Sequence, residues 1–197
     1  MRRLLLIRHA STDAVRRAAF PVDESLDAAG PEAAGGLAGR LGRGEALCSP
    51  ARRARETARA AALDAEVVPE LGECDFGTWA GRTLAEIHEK DPAGAHAWMT
   101  DPQARPHGGE SLADLLARVG AWLDAQAQQD GRAIAITHGG VVKAAVVHAL
   151  GAPAAAFWRV DVAPLAVTEL HAHDGGWTLR RINMPVELGE PALGTAA

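Results

Sequence analysis

The stretch Leu4-Leu5-Leu6-Ile7-Arg8-His9-Ala10-Ser11-Thr12 decides the reading of this chain, because a four-residue apolar run ends abruptly in an arginine and a histidine. A short aliphatic run of this kind predicts a strand covered on both faces, as in a parallel sheet flanked by helices. Ligands of open α/β sheets gather at the carboxyl ends of such strands, and Arg8 and His9 stand at that end. A guanidinium offers a fixed fork of donors and a neutral imidazole a nucleophilic nitrogen. Side by side they suit a phosphoryl group.

The second half of the chain repeats the arrangement. Ala133-Ile134-Ala135-Ile136-Thr137 reads as an apolar strand leading into His138-Gly139-Gly140 and then a helical run from Val141 to Val147. The two glycines let the backbone approach a ligand closely, and the helix aims its free N–H groups at the same place, which favours an anion. A third, short strand, Glu45 to Cys48, precedes Ser49-Pro50-Ala51-Arg52-Arg53-Ala54-Arg55. Ser49 is expected to cap the following helix with Pro50 at its first position. Adjacent helical residues lie about 100° apart, so at most one or two of Arg52, Arg53 and Arg55 face inward.

Around these elements the chain reads as one domain over residues 1–186, with a Gly/Pro/Ala-rich tail at 187–197. Glu32 to Leu41 predicts an amphipathic helix, Leu84 to Trp98 another, and Asp101 to Gly109 a loop over the sheet. Ser111 and Asp114 form a capping box for a helix whose core face carries Leu112, Leu115, Leu116, Val119, Trp122 and Leu123. Leu165 to His171 and Trp177 to Arg181 predict a hairpin across Asp174-Gly175-Gly176.

Composition narrows the function classes. The 197 residues are 48% hydrophobic, ample for a core, and 20 Lys and Arg against 25 Asp and Glu leave a net charge of −5. That balance argues against nucleic acid or an anionic membrane as a partner. The apolar run after Met1-Arg2-Arg3 is far too short for a signal peptide or a membrane span, so a cytoplasmic location is expected. Cys48 and Cys74 are too few for a disulfide framework and are read as reduced. His171 and His173 have metal-ligand chemistry at strand spacing but no third ligand nearby, so they read as solvated hairpin residues, and neither metal nor other cofactor is expected.

Four separated motifs, in order, resemble the histidine phosphatase superfamily, which includes cofactor-dependent phosphoglycerate mutases and alpha-ribazole phosphatases. Its opening Arg-His-Gly-x-Thr is matched by Arg8, His9 and Thr12; its Ser-Pro-x-x-Arg-Ala-x-x-Thr-Ala places the phosphate-binding arginine on Arg53. Its Leu-x-Glu-x-x-x-Gly-x-Trp-x-Gly appears from Leu71 to Gly81 and puts the acid on Glu73, and its Thr-His-Gly-Gly runs from Thr137 to Gly140, making His138 the second histidine. The resemblance implies an α/β three-layer sandwich with a mostly parallel central sheet, phosphoglycerate mutase-like. It also implies His9 and Glu73 as catalytic residues, with Arg8, Arg53, His138, Thr12 and Gly139 around the phosphate. Two positions depart from the pattern. Ala10 replaces a usual glycine, tolerable where φ stays negative, and Val15 replaces an asparagine donor. Gly108-Gly109-Glu110-Ser111 matches a further family element, in which Glu110 either orients an active-site group or serves the helix N-terminus.

In this reading His9 attacks phosphorus, the cationic cage holds the oxygens, Glu73 protonates the leaving alcohol, and water then hydrolyses phosphohistidine. Mutases of the family carry a longer, basic insertion after the acid segment. Here the interval between Gly81 and Gly108 is short and offers chiefly Arg82, Lys90 and Arg105. The expectation is therefore a phosphatase acting on a small metabolite such as alpha-ribazole phosphate or a sugar phosphate. A mutase-type phosphotransferase is the alternative, and a non-catalytic phosphate- or phosphohistidine-binding regulator is the alternative of another class. Assembly into a homo-oligomer is left open.

Overall fold

The computed structural model describes residues 1–173 and 176–186. Its centre is a six-stranded sheet built from β1 (Arg2–Arg8), β2 (Glu45–Cys48), β3 (Glu66–Val67), β4 (Gly131–Thr137), β5 (Val167–His173) and β6 (Gly176–Met184), in the order β3-β2-β4-β1-β5-β6. β3, β2, β4 and β1 run parallel, and β5 and β6 add an antiparallel edge. The alternation of side chains along a strand builds the layers. Leu4 and Leu6 of β1 and Ala133 and Ala135 of β4 pack on one face with residues of α6 (Leu112–Ala127) and α7 (Gly139–Ala149). Leu5, Ile7, Ile134 and Ile136 pack on the other with Ala54 and Ala58 of α3 (Arg52–Ala60). This is the expected three-layer α/β arrangement with a mostly parallel sheet. Leu4, Leu6, Ile7, Ile134 and Ile136 are essentially sealed from solvent. Each such side chain contributes roughly 1.5–3 kcal/mol of burial.

Register positions the site. Arg8 pairs with Thr137 across β1 and β4, and Cys48 pairs with Ile136 across β2 and β4. The residues that follow these strands, His9, His138 and Ser49, therefore emerge together at one edge of the sheet. The short α1 (Asp13–Arg16) follows directly after His9-Ala10-Ser11-Thr12.

Several boundaries differ from expectation, each for a local reason. α2 spans Gly30–Gly35 rather than running from 32 to 41, because Gly36 caps it and Gly39, at φ 73°, turns the chain. Leu37 and Leu41 are still buried. The helix expected from 84 to 98 is two, α4 (Leu84–Lys90) and α5 (Pro92–Thr100): Asp91 precedes a proline, which disfavours its helical conformation, and sits at φ −143°. α3 begins at Arg52 with Ala51 at its N-cap, so Ser49 is not the cap and Pro50 lies outside the helix. The hairpin's first strand starts at Val167, because Leu165 takes a left-handed φ of 60° that no strand accommodates. Residues 174–175 of its turn and the tail at 187–197 lie outside the described residues. Among the described residues no helix is long and apolar enough to cross a membrane.

Candidate active site

Arg53 joins the three strand ends. It is the second residue of α3, 3% exposed, and points under the sheet edge while Arg52 and Arg55 face solvent. Its Nε–H donates to His9 Nε2 at 3.2 Å, its Nη2 lies 3.2 Å from His138 Nδ1, and its Nη1 donates to the Val22 carbonyl at 2.9 Å. Glu24 Oε2 lies 3.8 Å from the same Nη1. The two imidazoles meet edge to face with centroids 5.1 Å apart.

These contacts define the tautomers. His9 is 4% exposed, and its Nδ1 faces the Ala10 carbonyl at 2.7 Å. An acceptor at Nδ1 and a donor at Nε2 put the proton on Nδ1 and the lone pair on Nε2. Burial, and then the Arg53 charge, lower the His9 pKa to about 3, so the ring is neutral at physiological pH. His138 is fully buried and held well below its usual value, by burial first and then by His9 and the nearby arginines. Its Nδ1 accepts from Arg53, which leaves its Nε2–H to donate to Ser49 Oγ at 2.7 Å.

Arg8 closes the other side. Its Nη1 donates to the Val162 carbonyl at 2.6 Å, while its Nε is buried without a partner among the described residues. Burial lowers its pKa, and the charges of Glu73 and Asp161 oppose that. Glu73 accepts through Oε2 from the Gly140 N–H, in the first turn of α7, at 3.1 Å and through Oε1 from the Cys74 N–H at 3.0 Å. A side chain at Gly140 would displace this carboxylate from its present position. Arg8, His9, Arg53 and Glu73 line one cavity of about 310 Å³, and Arg8 and Glu73 also line a second, of about 240 Å³, with Gly139 and Gly140.

The segment carrying Glu73 is held from below. Arg118 on α6 grips the Glu110 carboxylate with both branches, Nε to Oε1 and Nη2 to Oε2 each at 2.9 Å, and its Nη1 donates to the carbonyls of Glu70 at 2.6 Å and Gly72 at 3.1 Å. Glu110 N donates to the Asp75 carbonyl at 2.8 Å, and a side chain on Gly109 would run into that carbonyl. Glu110 therefore holds, through Arg118, the backbone around Glu73, and the helix end is capped instead by Ser111 and Asp114, which form the expected capping box.

The remaining sequence candidates are placed as follows. Thr12 is fully buried and its hydroxyl accepts from Val15 N at 3.2 Å, capping α1; it lines neither of the two cavities. Gly139 lines the cavity beside Arg8. Ala10 keeps a negative φ, and its N–H donates to Thr57 Oγ1 at 3.0 Å. Val15 lines the cavity with His9. His171 pairs with Glu169 and His173 contacts Thr178, and among the described residues no group of three His, Cys, Asp or Glu side chains is placed to hold a metal. Sequence reasoning missed Ser49 as the partner of His138, Glu24 as the neighbour of Arg53, and Lys143, which lines the cavity with Gly139 and Gly140. Lys143 stands three residues after Gly140 and four after Gly139 on the helix, a spacing that was a readable signal for it.

Comparison with known proteins gives the chain's family. A family model described as "Histidine phosphatase superfamily (branch 1)" matches residues 4–185. A bifunctional protein of Mycobacterium tuberculosis is 36% identical over 195 residues, covering 92% of this chain and 53% of its own length, so the chain spans about half the length of the first curated relatives it matches. The glucosyl-3-phosphoglycerate phosphatase of the same species is 33% identical over 174 residues, 78% of each chain. The crystal structure of the alpha-ribazole phosphatase from Shigella flexneri superimposes with a TM-score of 0.80 at 28% identity, covering 92% of this chain and 96% of that one.

Proposed function

We propose, because the chain belongs to the histidine phosphatase superfamily, that it hydrolyses small phosphate monoesters through a covalent phosphohistidine on His9, with the machinery contained in one domain over residues 1–186. The observation that carries the reading is the state of His9. Its ring is neutral, its Nδ1–H is tied to the Ala10 carbonyl, and its Nε2 lone pair accepts from Arg53 Nε–H beside the cavity that both residues line with Arg8 and Glu73. A buried lone pair between two guanidinium groups is suited to attack on a phosphoryl group that brings its own negative charge.

Nε2 forms a bond to phosphorus as the P–O bond to the alcohol breaks. Arg8, whose Nε has no partner among the described residues, and Arg53, released from His9 Nε2, hold the equatorial oxygens. The imidazolium character that develops on His9 is stabilised by the Ala10 carbonyl at Nδ1–H. His138 accepts from Arg53 Nη2 and so keeps that guanidinium aligned on the phosphoryl oxygens, while Ser49 fixes the orientation of His138. Glu73, beside Arg8 at the mouth of α7, delivers the proton to the departing alkoxide, and its carboxylate then takes a proton from the attacking water. Water's oxygen bonds to phosphorus, the N–P bond breaks, and His9 returns to its neutral form with inorganic phosphate released.

Relatives carrying phosphatase names, including alpha-ribazole phosphatase and glucosyl-3-phosphoglycerate phosphatase, support hydrolysis over transfer. A screen of purified protein against alpha-ribazole phosphate, sugar phosphates and phosphorylated hydroxy acids tests the proposal. Release of inorganic phosphate from at least one class at enzymatic rates is expected. A folded protein that releases none from any would refute it.

A further inference from the structure

Beyond the phosphoryl site the cavity that begins at Arg8, Glu73, Gly139 and Gly140 continues between aromatic rings. Phe20, Phe76, Trp98, Phe157 and Trp158 line it, none of them needed to form or break the bond to phosphorus. The rings brace one another at steep angles: centroids lie 6.1 Å apart for Phe76 and Trp98, 6.2 Å for Trp98 and Trp158, and 5.1 Å for Phe157 and Trp158. Their mutual packing leaves flat apolar walls directly beside the position of the leaving group, the kind of slot that accepts a ring.

Besides Arg8, one further cation lines this cavity among the described residues. Lys143 stands on α7 one turn beyond Gly139 and Gly140, with Nζ 5.4 Å from the centroid of Phe157, half-buried, and without a hydrogen bond or ion pair among the described residues. Burial lowers its pKa, Asp161 and Glu73 raise it, and Arg8 lowers it further. Asp161 also lines the cavity, but it is exposed and accepts from the Val162 N–H at 2.9 Å. Of the charges around the cavity, Arg8 serves the transferred phosphoryl group. That leaves a single ammonium in a wall that also carries the Asp161 carboxylate. A monoanion suits such a place better than a second phosphate, whose two charges would meet Asp161 with only one cation in between.

We infer that this cavity is the leaving-group subsite, and that it takes alcohols pairing a flat ring with a carboxylate, the ring lying among Trp98, Phe157 and Trp158 and the carboxylate accepting from Lys143 Nζ. The inference rests on the proposed hydrolysis at His9 and names its substrate class.

Three aryl probes that differ only at one end test it: phenyl phosphate, 4-(carboxymethyl)phenyl phosphate and 4-(aminomethyl)phenyl phosphate. The methylene insulates the phenol, so departure of the leaving group is equally easy in all three. Wild-type kcat/KM is expected to favour the carboxylate probe over phenyl phosphate about tenfold, as a partly exposed charge-assisted contact does, and to disfavour the amine. Lys143→Gln should bring the carboxylate-to-phenyl ratio to about one, and Lys143→Arg should retain most of it. Equal wild-type rates on the three probes, or a carboxylate preference that survives Lys143→Gln, would overturn the assignment. Calorimetry on the His9→Ala protein reads the same order as binding, without turnover, and adds glycerol 3-phosphate, which must bind more weakly than phenyl phosphate if the rings matter. Binding in the expected order without hydrolysis would count against the proposed function alone. Hydrolysis without the order would count against the subsite alone.

Discussion

Replacing Glu110 by Gln should damage proton delivery to the leaving group more than it damages the fold. Glu110 never reaches the cavities; it neutralises Arg118, whose remaining donors hold the carbonyls of Glu70 and Gly72 immediately before Glu73. The side chains of the pair are 16% and 26% exposed, so the loss of one charge-assisted contact should cost about 2 kcal/mol of stability. For a chain of this size that is a fall of roughly 4–8 °C in Tm. Freed from the fork, Arg118 no longer has a unique position, and the backbone before Glu73 shifts with it. A displacement near 1 Å in a reacting group costs on the order of a hundredfold. The discriminating assay compares kcat/KM, which covers the steps up to departure of the alcohol, for an alkyl phosphate and for 4-nitrophenyl phosphate. An alkoxide must be protonated as it leaves, whereas nitrophenolate departs unaided. The variant should lose roughly 10- to 100-fold on the alkyl ester and about threefold or less on the nitrophenyl ester. Equal losses on both, or full activity on both at a lowered Tm, would show that the Glu110–Arg118 pair is structural only.

Stability should fall with pH below about 6.5. His9 is held to about 3 in the folded chain, so an unfolded chain with an ordinary histidine binds more protons, and each pH unit below about 6.5 removes up to about 1.4 kcal/mol for this ring. His138, and His107 where burial also lowers the pKa, act in the same direction. Urea midpoints at pH 7.5, 6.5 and 5.5 report this above the range where carboxylates titrate, and a flat series would contradict the neutral, buried state. Activity should survive chelators and be inhibited by vanadate, since Arg8 and Arg53 supply the positive charge that divalent ions supply elsewhere; activity lost in chelator and restored by a divalent ion would refute this. Given a phosphoglycerate with a trace of bisphosphoglycerate, the protein should release inorganic phosphate faster than it interconverts isomers, and the opposite ratio would place it among phosphotransferases.

The parts of the fold legible in the sequence were those with a single physical cause. β1 and β4 are continuous apolar runs because both faces are covered, and the residues at their ends could be assigned to one edge before any pairing was known. The Ser111–Asp114 box and the apolar face from Leu112 to Leu123 were equally direct. Boundaries set by competing effects were not legible: the apolar pattern runs through Asp91-Pro92, where backbone sterics break it, and Leu165 looks like strand until its left-handed φ is seen. Within the site, the motif residues His9, Arg53, Glu73 and His138 were identifiable, but their couplings are long-range. That Ser49 serves His138 rather than a helix end depends on the register of β2 against β4. That Glu110 acts on the acid segment depends on Arg118, which lies one helix away from the loop it supports.

Acid-quench trapping tests the central claim most directly. Enzyme mixed with a labelled phosphate monoester and quenched within a turnover should carry acid-labile, alkali-stable label on one histidine, and the His9→Ala protein, with its fold intact by circular dichroism, should carry none and lose turnover by on the order of a thousandfold or more. Label retained on the His9→Ala protein would contradict the assignment of His9 as the nucleophile.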